Sequence, residues 1–171
     1  YWGNCDPNEP KNKRTRPSLS VQSETTTIIV DTGPDFREQF NTLHAETVHA
    51  VLYTHPHGDH IHGIDELRVF RYRFGEYVHI YGNRPTIDEL EERFTYLFRE
   101  RNSIYPKVIE PHIFDEDTFC QTQTIGDISF IPFEQDHGTC QTVGYRFYNM
   151  AYSTDLVDLN QQALEQLIGI D

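Results

Sequence analysis

The stretch His55-Pro56-His57-Gly58-Asp59-His60 decides how this chain is interpreted. It places three imidazoles and one carboxylate on one short loop, directly after an apolar run that ends at Tyr53. Neutral imidazole and carboxylate together suit divalent transition metals such as zinc or manganese. Because four candidate ligands are more than one tetrahedral ion takes from a single loop, the spacing indicates two ions. The alternative is a surface loop that happens to be rich in histidine.

Three further polar residues, Asp31, His137 and Asp155, each come just past a strand-like apolar run. Polar residues on loops held by a rigid sheet are where active sites are usually built. Each residue also has a simpler interpretation. Asp31 could form the turn before Gly33, His137 could be a structural histidine, and Asp155 could cap a helix.

Taken together, these residues resemble the metallo-β-lactamase superfamily, which combines H-x-H-x-D-H with a later lone histidine and an aspartate. Residues 10–18, 30–37 and 54–68 are similar to the branch that contains the cyclic phosphodiesterases of bacterial phosphonate breakdown. The resemblance covers nearly the whole chain. It implies an α/β fold of four layers, αββα, with a two-metal centre at one edge of the sandwich.

The resemblance also implies a role for each residue that matches the motif. The expected ligands of the first ion are His55, His57 and His137. The expected ligands of the second ion are Asp59 and His60. Asp155 would bridge the two ions, and Asp59 would also orient the attacking hydroxide. Asp31 would lie beneath the loop and fix its shape by hydrogen bonds.

Two features depart from the family pattern. The family places one more histidine on the second ion, and no histidine follows His137. The chain also starts at Tyr1 without Met and stops at Asp171, where a further strand is expected. We therefore expect residues 1–171 to be a single metallo-β-lactamase-like domain that lacks N- and C-terminal parts of the family domain.

Composition narrows the range of partners. The formal net charge of −13 repels nucleic acid at long range, whereas two bound cations would still attract a small phosphate ester. Three scattered cysteines argue against a disulfide scaffold and for a reducing, cytoplasmic location. No stretch approaches the length of a membrane span. A homodimer is an open alternative.

Arginines supply the candidate substrate contacts. Arg14 and Arg16 lie in a basic run near the N-terminus, and their guanidinium groups suit phosphate oxygens; a solvated, flexible terminus is the alternative. Arg68 opens a run of alternating cations and rings that ends at Phe74. That run could stack a base or ribose, but we favour a helix end or a subunit contact.

The remaining pattern predicts alternating strands and helices. Predicted strands are 19–23, 26–31, 48–53, 77–81, 108–114, 128–133, 142–148 and 150–153. Predicted helices are 35–41, one beginning near Gly63, one that starts at a capping box in 86–89, and a last one over 159–168. His79 is interpreted as structural, and His112 is left without a role.

The motif and the family resemblance together imply a metal-dependent hydrolase in which hydroxide held by two metal ions attacks a small phosphodiester, with cyclic esters among the candidates. The resemblance, and not the ligand spacing, points to phosphorus. One alternative is an acyl hydrolase that acts on a thioester or a lactam. Another is a nuclease that processes tRNA 3′ ends, which the acidic balance disfavours. The non-enzymatic alternative is a metal-binding interaction module.

Overall fold

The computed structural model describes residues 2–100, 102 and 104–170. The strands are β1 (Leu19–Gln22), β2 (Thr27–Val30), β3 (Ala50–Leu52), β4 (Val78–Asn83), β5 (Ile109–Phe114), β6 (Gln123–Ile125), β7 (Ile128–Asp136), β8 (Gln141–Phe147) and β9 (Met150–Tyr152). The α-helices are α1 (Phe36–Thr42), α2 (Gly58–Ile61), α3 (Arg68–Phe74), α4 (Arg84–Arg93), α5 (Thr95–Phe98) and α6 (Gln161–Gln166). Short 3₁₀ turns occupy Pro10–Asn12 and Ile64–Leu67.

The first sheet has the order β1-β2-β3-β4-β5, with an antiparallel β1–β2 pair and parallel pairing from β2 to β5. Every residue of β2 and β3 is buried. A parallel strand covered on both faces reads as a continuous apolar run, which is the pattern of these two segments. The parallel arrangement brings the carboxyl ends of β2, β3 and β4 to one edge of the sheet.

The second sheet is an antiparallel meander of β6, β7, β8 and β9. Its inner face packs against the first sheet through a cluster of aliphatic and aromatic side chains. Members of that cluster are Ile28, Val30, Leu52, Phe114, Ile128, Phe130, Val143, Tyr145 and Phe147. Phe130 and Tyr145 meet at an interplanar angle of 66°, an edge-to-face geometry that adds to the apolar burial.

Helices cover the two outer faces. A second apolar cluster joins the helical side of the first sheet to α1, α3, α4 and α5, through residues such as Phe36, Phe70, Leu90 and Leu97. On the other side, α6 packs on β7. The result is the predicted αββα sandwich, so the fold prediction is confirmed. Among the described residues, no helix is both long and apolar enough to cross a membrane.

The start of α4 corrects the predicted capping box. The N-cap is Asn83, whose side-chain oxygen accepts from the Thr86 backbone N–H at 3.0 Å. Pro85 lies in the first turn, where its missing N–H costs nothing. Thr86 is therefore inside the helix. Helical structure does begin at Gly63, which is the N-cap of the 3₁₀ turn Ile64–Leu67 that leads into α3. A separate short helix, α2, starts at Gly58 within the histidine loop itself.

The corrected cap gives a direct test by substitution. An Asn83→Ala change is expected to lower the free energy of unfolding by about 1 kcal/mol, since it removes the acceptor for the helix's first turn. Thr86→Val should change stability much less, because Thr86 Oγ1 makes no hydrogen bond among the described residues. Urea denaturation of both variants measures the difference. Equal losses would show that Thr86 contributes to the cap.

Candidate metal centre

The histidine loop leaves the first sheet at the carboxyl end of β3. His57 is the N-cap residue of α2, and Asp59 and His60 lie in the helix's only turn. His137 follows β7 and Asp155 follows β9, both from the second sheet. The two sheets thus deliver their polar residues to one edge of the sandwich, as the sequence predicted for strand-end positions.

Four of the predicted ligands converge closely. One ligand atom from each of His55, His57, His137 and Asp155 lies within 4.8 Å of the other three. His55 Nε2 is 3.0 Å from His57 Nδ1 and 3.5 Å from Asp155 Oδ2. The His137 ring lies 5.3 Å from the His55 ring and 5.2 Å from the His57 ring, between centroids. This group comes from three separate segments of the chain.

A second group lies on the other side of Asp155. His60 Nε2 is 3.3 Å from Asp155 Oδ2 and 4.0 Å from Asp59 Oδ2. Asp155 Oδ2 therefore stands within reach of both His55 and His60. A carboxylate in this position can serve two neighbouring ions, which is the geometry that a bridging ligand needs.

The donors present fit divalent cations. His60 Nε2 and His137 Nδ1 are buried and make no hydrogen bond among the described residues. Buried polar atoms without a partner are rare, and an ion is one of the few things that explains them. Imidazole and carboxylate are also the ligand types of zinc and related ions. The cluster therefore fits divalent metal binding.

The electrostatics of the cluster favour cation binding. Burial and the neighbouring rings of His60 and His57 lower the pKa of His55 to about 4, so that this ring is neutral at pH 7. Burial opposes ionisation of Asp155, but the charge of His60 lowers the pKa of Asp155 overall. At neutral pH His55 thus offers an imidazole lone pair beside the Asp155 carboxylate, which is the state that binds metal.

Asp31 lies directly beneath the loop, where it is fully buried. Its Oδ2 is 2.7 Å from His60 Nδ1, and its Oδ1 accepts from the Thr54 N–H at 2.8 Å. Burial raises the pKa of Asp31, and the contact with Asp31 raises the pKa of His60 against its own burial. Asp31 and Asp155 have φ values of 61° and 50°, a left-handed conformation that aspartate adopts more readily than most non-glycine residues and that recurs at functional sites.

The arginines predicted to contact substrate lie in different places. Arg16 reaches the site, with its guanidinium 3.7 Å from Asp59 Oδ2. Arg14 lines an open groove with Trp2, Cys5 and Glu38. Arg68 is 4.0 Å from Asp65 and lines a cavity of about 190 Å³ with three tyrosines, none of which belongs to the cluster.

Sequence reasoning missed two arrangements. Thr54, which precedes the first loop histidine, bonds to both Asp31 and His55. His79 Nδ1 lies 2.9 Å from His112 Nε2 across β4 and β5, a contact that depends on strand register. Among the described residues, no third His, Cys, Asp or Glu lies close enough to form a metal site with that pair. The signal that could have identified Thr54 was its position as a polar residue next to the motif. The sequence contains no comparable signal for the histidine pair.

Comparisons with known proteins agree with this geometry. Residues 26–171 match the family described as a beta-lactamase superfamily domain. A crystal structure of a diphosphatase from the PhnP family has a TM-score of 0.83 and 32% sequence identity, and the match covers 98% of this chain and 64% of that chain.

Two curated relatives are also similar. An octanoyltransferase of Porphyromonas gingivalis is 29% identical over 95% of this chain, but the match covers 32% of the relative. The exodeoxyribonuclease WalJ of Streptococcus pneumoniae is 28% identical over 90% of this chain, and the match covers 53% of it. The chain thus spans a third to a half of these curated relatives. Because the family match, the sandwich and the ligand cluster coincide, this chain belongs to the metallo-β-lactamase superfamily, as its histidine loop predicted.

Proposed function

We propose that this chain carries the catalytic centre of a metal-dependent hydrolase that cleaves a small phosphodiester. The observation that carries the proposal is the convergence of His55, His57, His137 and Asp155 from three segments of the chain. Two divalent cations held there, zinc or manganese, would supply a water of lowered pKa and positive charge opposite the phosphoryl oxygens.

The ligands divide into two sets that share Asp155. His55, His57 and His137 would hold one cation, together with the Asp155 carboxylate. His60 and Asp59 would hold the other, again with Asp155. The support for this division is the position of Asp155 Oδ2, 3.5 Å from His55 Nε2 and 3.3 Å from His60 Nε2.

Asp59 and Arg16 face the open side of the cluster. The Asp59 side chain is 39% exposed, and its Oδ2 lies between the buried His60 ring and the Arg16 guanidinium. Asp59 Oδ2 would accept a proton from the attacking water. Arg16 would donate to a phosphate oxygen through its guanidinium fork. The backbone at Arg16 is held in place for this contact, since Asp35 accepts from the Arg16 N–H and Gln39 donates to the Arg16 C=O, each at 2.7 Å.

Phosphorus chemistry is favoured by two of the three relatives reported above. The names diphosphatase and exodeoxyribonuclease both describe cleavage of a bond between phosphorus and oxygen. The octanoyltransferase name describes acyl transfer, and this chain matches a third of that protein. The net charge of −13 disfavours a long polyanion over a small ester. A diphosphate ester is the second candidate substrate, on the strength of the diphosphatase similarity.

The proposal is tested by turnover with added zinc or manganese. Bis-p-nitrophenyl phosphate, a nucleoside diphosphate ester, a chromogenic thioester and a short oligodeoxynucleotide are compared, and bound metal is counted by elemental analysis. We expect about two ions per chain and phosphodiester cleavage that is lost in His57→Ala. His44→Ala, which removes an exposed histidine, is the matched control and should retain activity.

The other outcomes separate the alternatives. Turnover of the diphosphate ester alone would replace the phosphodiester with the second candidate. Thioester turnover alone would overturn the choice of phosphorus, and oligonucleotide cleavage alone would favour a nuclease. Full metal occupancy without any turnover would favour a binding module.

A further inference from the structure

A buried chain of hydrogen bonds connects Asp31 to His55 through Thr54. The Thr54 hydroxyl lies 2.8 Å from Asp31 Oδ2 and 2.9 Å from His55 Nδ1. All three residues are fully buried, with 0% of their surface exposed. Water is therefore not available to replace either bond, and each hydrogen must be placed within the chain itself.

The donor and acceptor inventory settles the direction of these bonds. Asp31 receives the Thr54 N–H on Oδ1, and the Thr54 hydroxyl and His60 Nδ1 on Oδ2, so it acts as an acceptor on both oxygens. The single hydroxyl hydrogen of Thr54 then points to Asp31. The Thr54 oxygen is left to accept, and among the described residues the group placed to donate to it is His55 Nδ1–H.

The same carboxylate fixes His60 directly. His60 Nδ1 lies 2.7 Å from Asp31 Oδ2, and its Nε2 makes no hydrogen bond among the described residues, although Asp155 Oδ2 lies 3.3 Å from that atom. His55 Nε2 lies 3.0 Å from His57 Nδ1 and 3.5 Å from Asp155 Oδ2, and His60 Nε2 lies 3.3 Å from the same carboxylate oxygen. A single buried carboxylate thus prepares one ligand in each half of the cluster.

We infer that Thr54 is a positioning residue whose hydroxyl donates to Asp31 and accepts from His55 Nδ1–H. This pair of bonds fixes the Nδ1–H form of His55, so that His55 Nε2 stays open to a metal. The inference rests on the metal centre proposed above but not on its substrate. Valine at position 54 would keep the shape of the side chain and remove the acceptor. His55 Nδ1–H would then be buried without a partner, and the Nε2–H form would compete.

The test combines the tautomer of His55 with metal affinity. ¹⁵N NMR of histidine-labelled, metal-free protein at pH 7.5 shows which ring nitrogen carries hydrogen, and titration with Zn²⁺ against a chelator gives the dissociation constant. We expect the Nδ1–H form of His55 in the wild type and in Thr54→Ser. Thr54→Val should contain the Nε2–H form and bind Zn²⁺ about 10- to 100-fold more weakly, while Thr54→Ser stays within about threefold of the wild type.

Thr32→Val is the matched control for loss of a buried hydroxyl. Thr32 Oγ1 lies 2.6 Å from Tyr53 Oη and makes no bond to the cluster residues. This variant should leave the tautomer of His55 and the Zn²⁺ affinity unchanged. Observation of the Nε2–H form in the wild type, or unchanged affinity in a folded Thr54→Val protein, would overturn the inference. Absence of Zn²⁺ binding in the wild type would instead contradict the proposed centre, and the NMR result on metal-free protein would still stand.

Discussion

An Asp155→Asn protein is expected to lose tight metal binding and to hydrolyse phosphodiesters about 10²- to 10⁴-fold more slowly than the wild type. In the described part of the chain, Asp155 Oδ2 is the one carboxylate oxygen within 3.5 Å of a histidine in each half of the cluster. Removing its charge leaves neutral imidazoles to face both cations, with Asp59 exposed at one side. The several kcal/mol that bound cations contribute to the transition state should be lost with them.

The substitution is chosen so that the backbone is not disturbed. Asp155 has φ 50°, a conformation that asparagine tolerates as well as aspartate. Asp158→Asn removes the same charge three residues on, where the exposed carboxylate accepts only from the Leu159 N–H among the described contacts. Elemental analysis and steady-state kinetics compare the two variants. If Asp155→Asn retained two ions and full activity, Asp155 would not be a bridging ligand.

The candidate metal ligands could be predicted from the sequence, whereas the side chains that orient those ligands could not. The loop from His55 to His60 could be interpreted because its chemistry is local: successive candidate ligands are one or two positions apart in the sequence. β7 and β9 flank β8 in an antiparallel sheet, so they run in the same direction and place His137 and Asp155 at one edge. The family resemblance predicted that this edge meets the histidine loop. Neither prediction needed exact strand bounds, since the ends of the predicted strands differ from the observed ends by zero to three residues.

Features that depend on the direction of a side chain could not be predicted. Thr54 is adjacent to His55 in sequence, but the partner that orients its hydroxyl, Asp31, is 23 residues away. The N-cap of α4 was assigned to Thr86 because a threonine followed by Glu89 imitates a capping box. In the structure the N-cap is Asn83, which is also the last residue of β4.

Contacts between residues on neighbouring strands also could not be predicted, because they depend on strand register. His79 and His112 lie on different strands, and a shift of one residue would move either ring to the opposite face. In the structure, burial and the charge of His79 lower the pKa of His112, and Tyr81 stacks on its ring at 4.4 Å. Nothing in the order of residues distinguishes this pair from the unpaired histidines of the chain.

A Gly63→Ala change is expected to cost about 3 kcal/mol of stability and to weaken Zn²⁺ binding at least about tenfold. A Cβ at this position would lie 2.2 Å from the Gly33 carbonyl oxygen and 2.8 Å from Phe36 Cβ. Gly63 N–H also donates to the Thr32 C=O, and Thr32 N–H donates to the His60 C=O. A methyl group would therefore push the histidine loop away from the segment that holds Asp31. This separation would weaken the contact by which Asp31 supports His60.

Gly75→Ala separates this effect from the ordinary cost of replacing glycine. Gly75 ends α3 with φ 78°, and a Cβ there would meet no atom within 4 Å. Alanine should cost about 1 kcal/mol from backbone strain alone and leave Zn²⁺ affinity unchanged. Gly63, by contrast, has φ −91°, which alanine adopts freely, so its whole cost must come from steric overlap. Comparable losses of stability in the two variants, with normal Zn²⁺ binding in both, would show that close packing of the two loops does not support the metal centre.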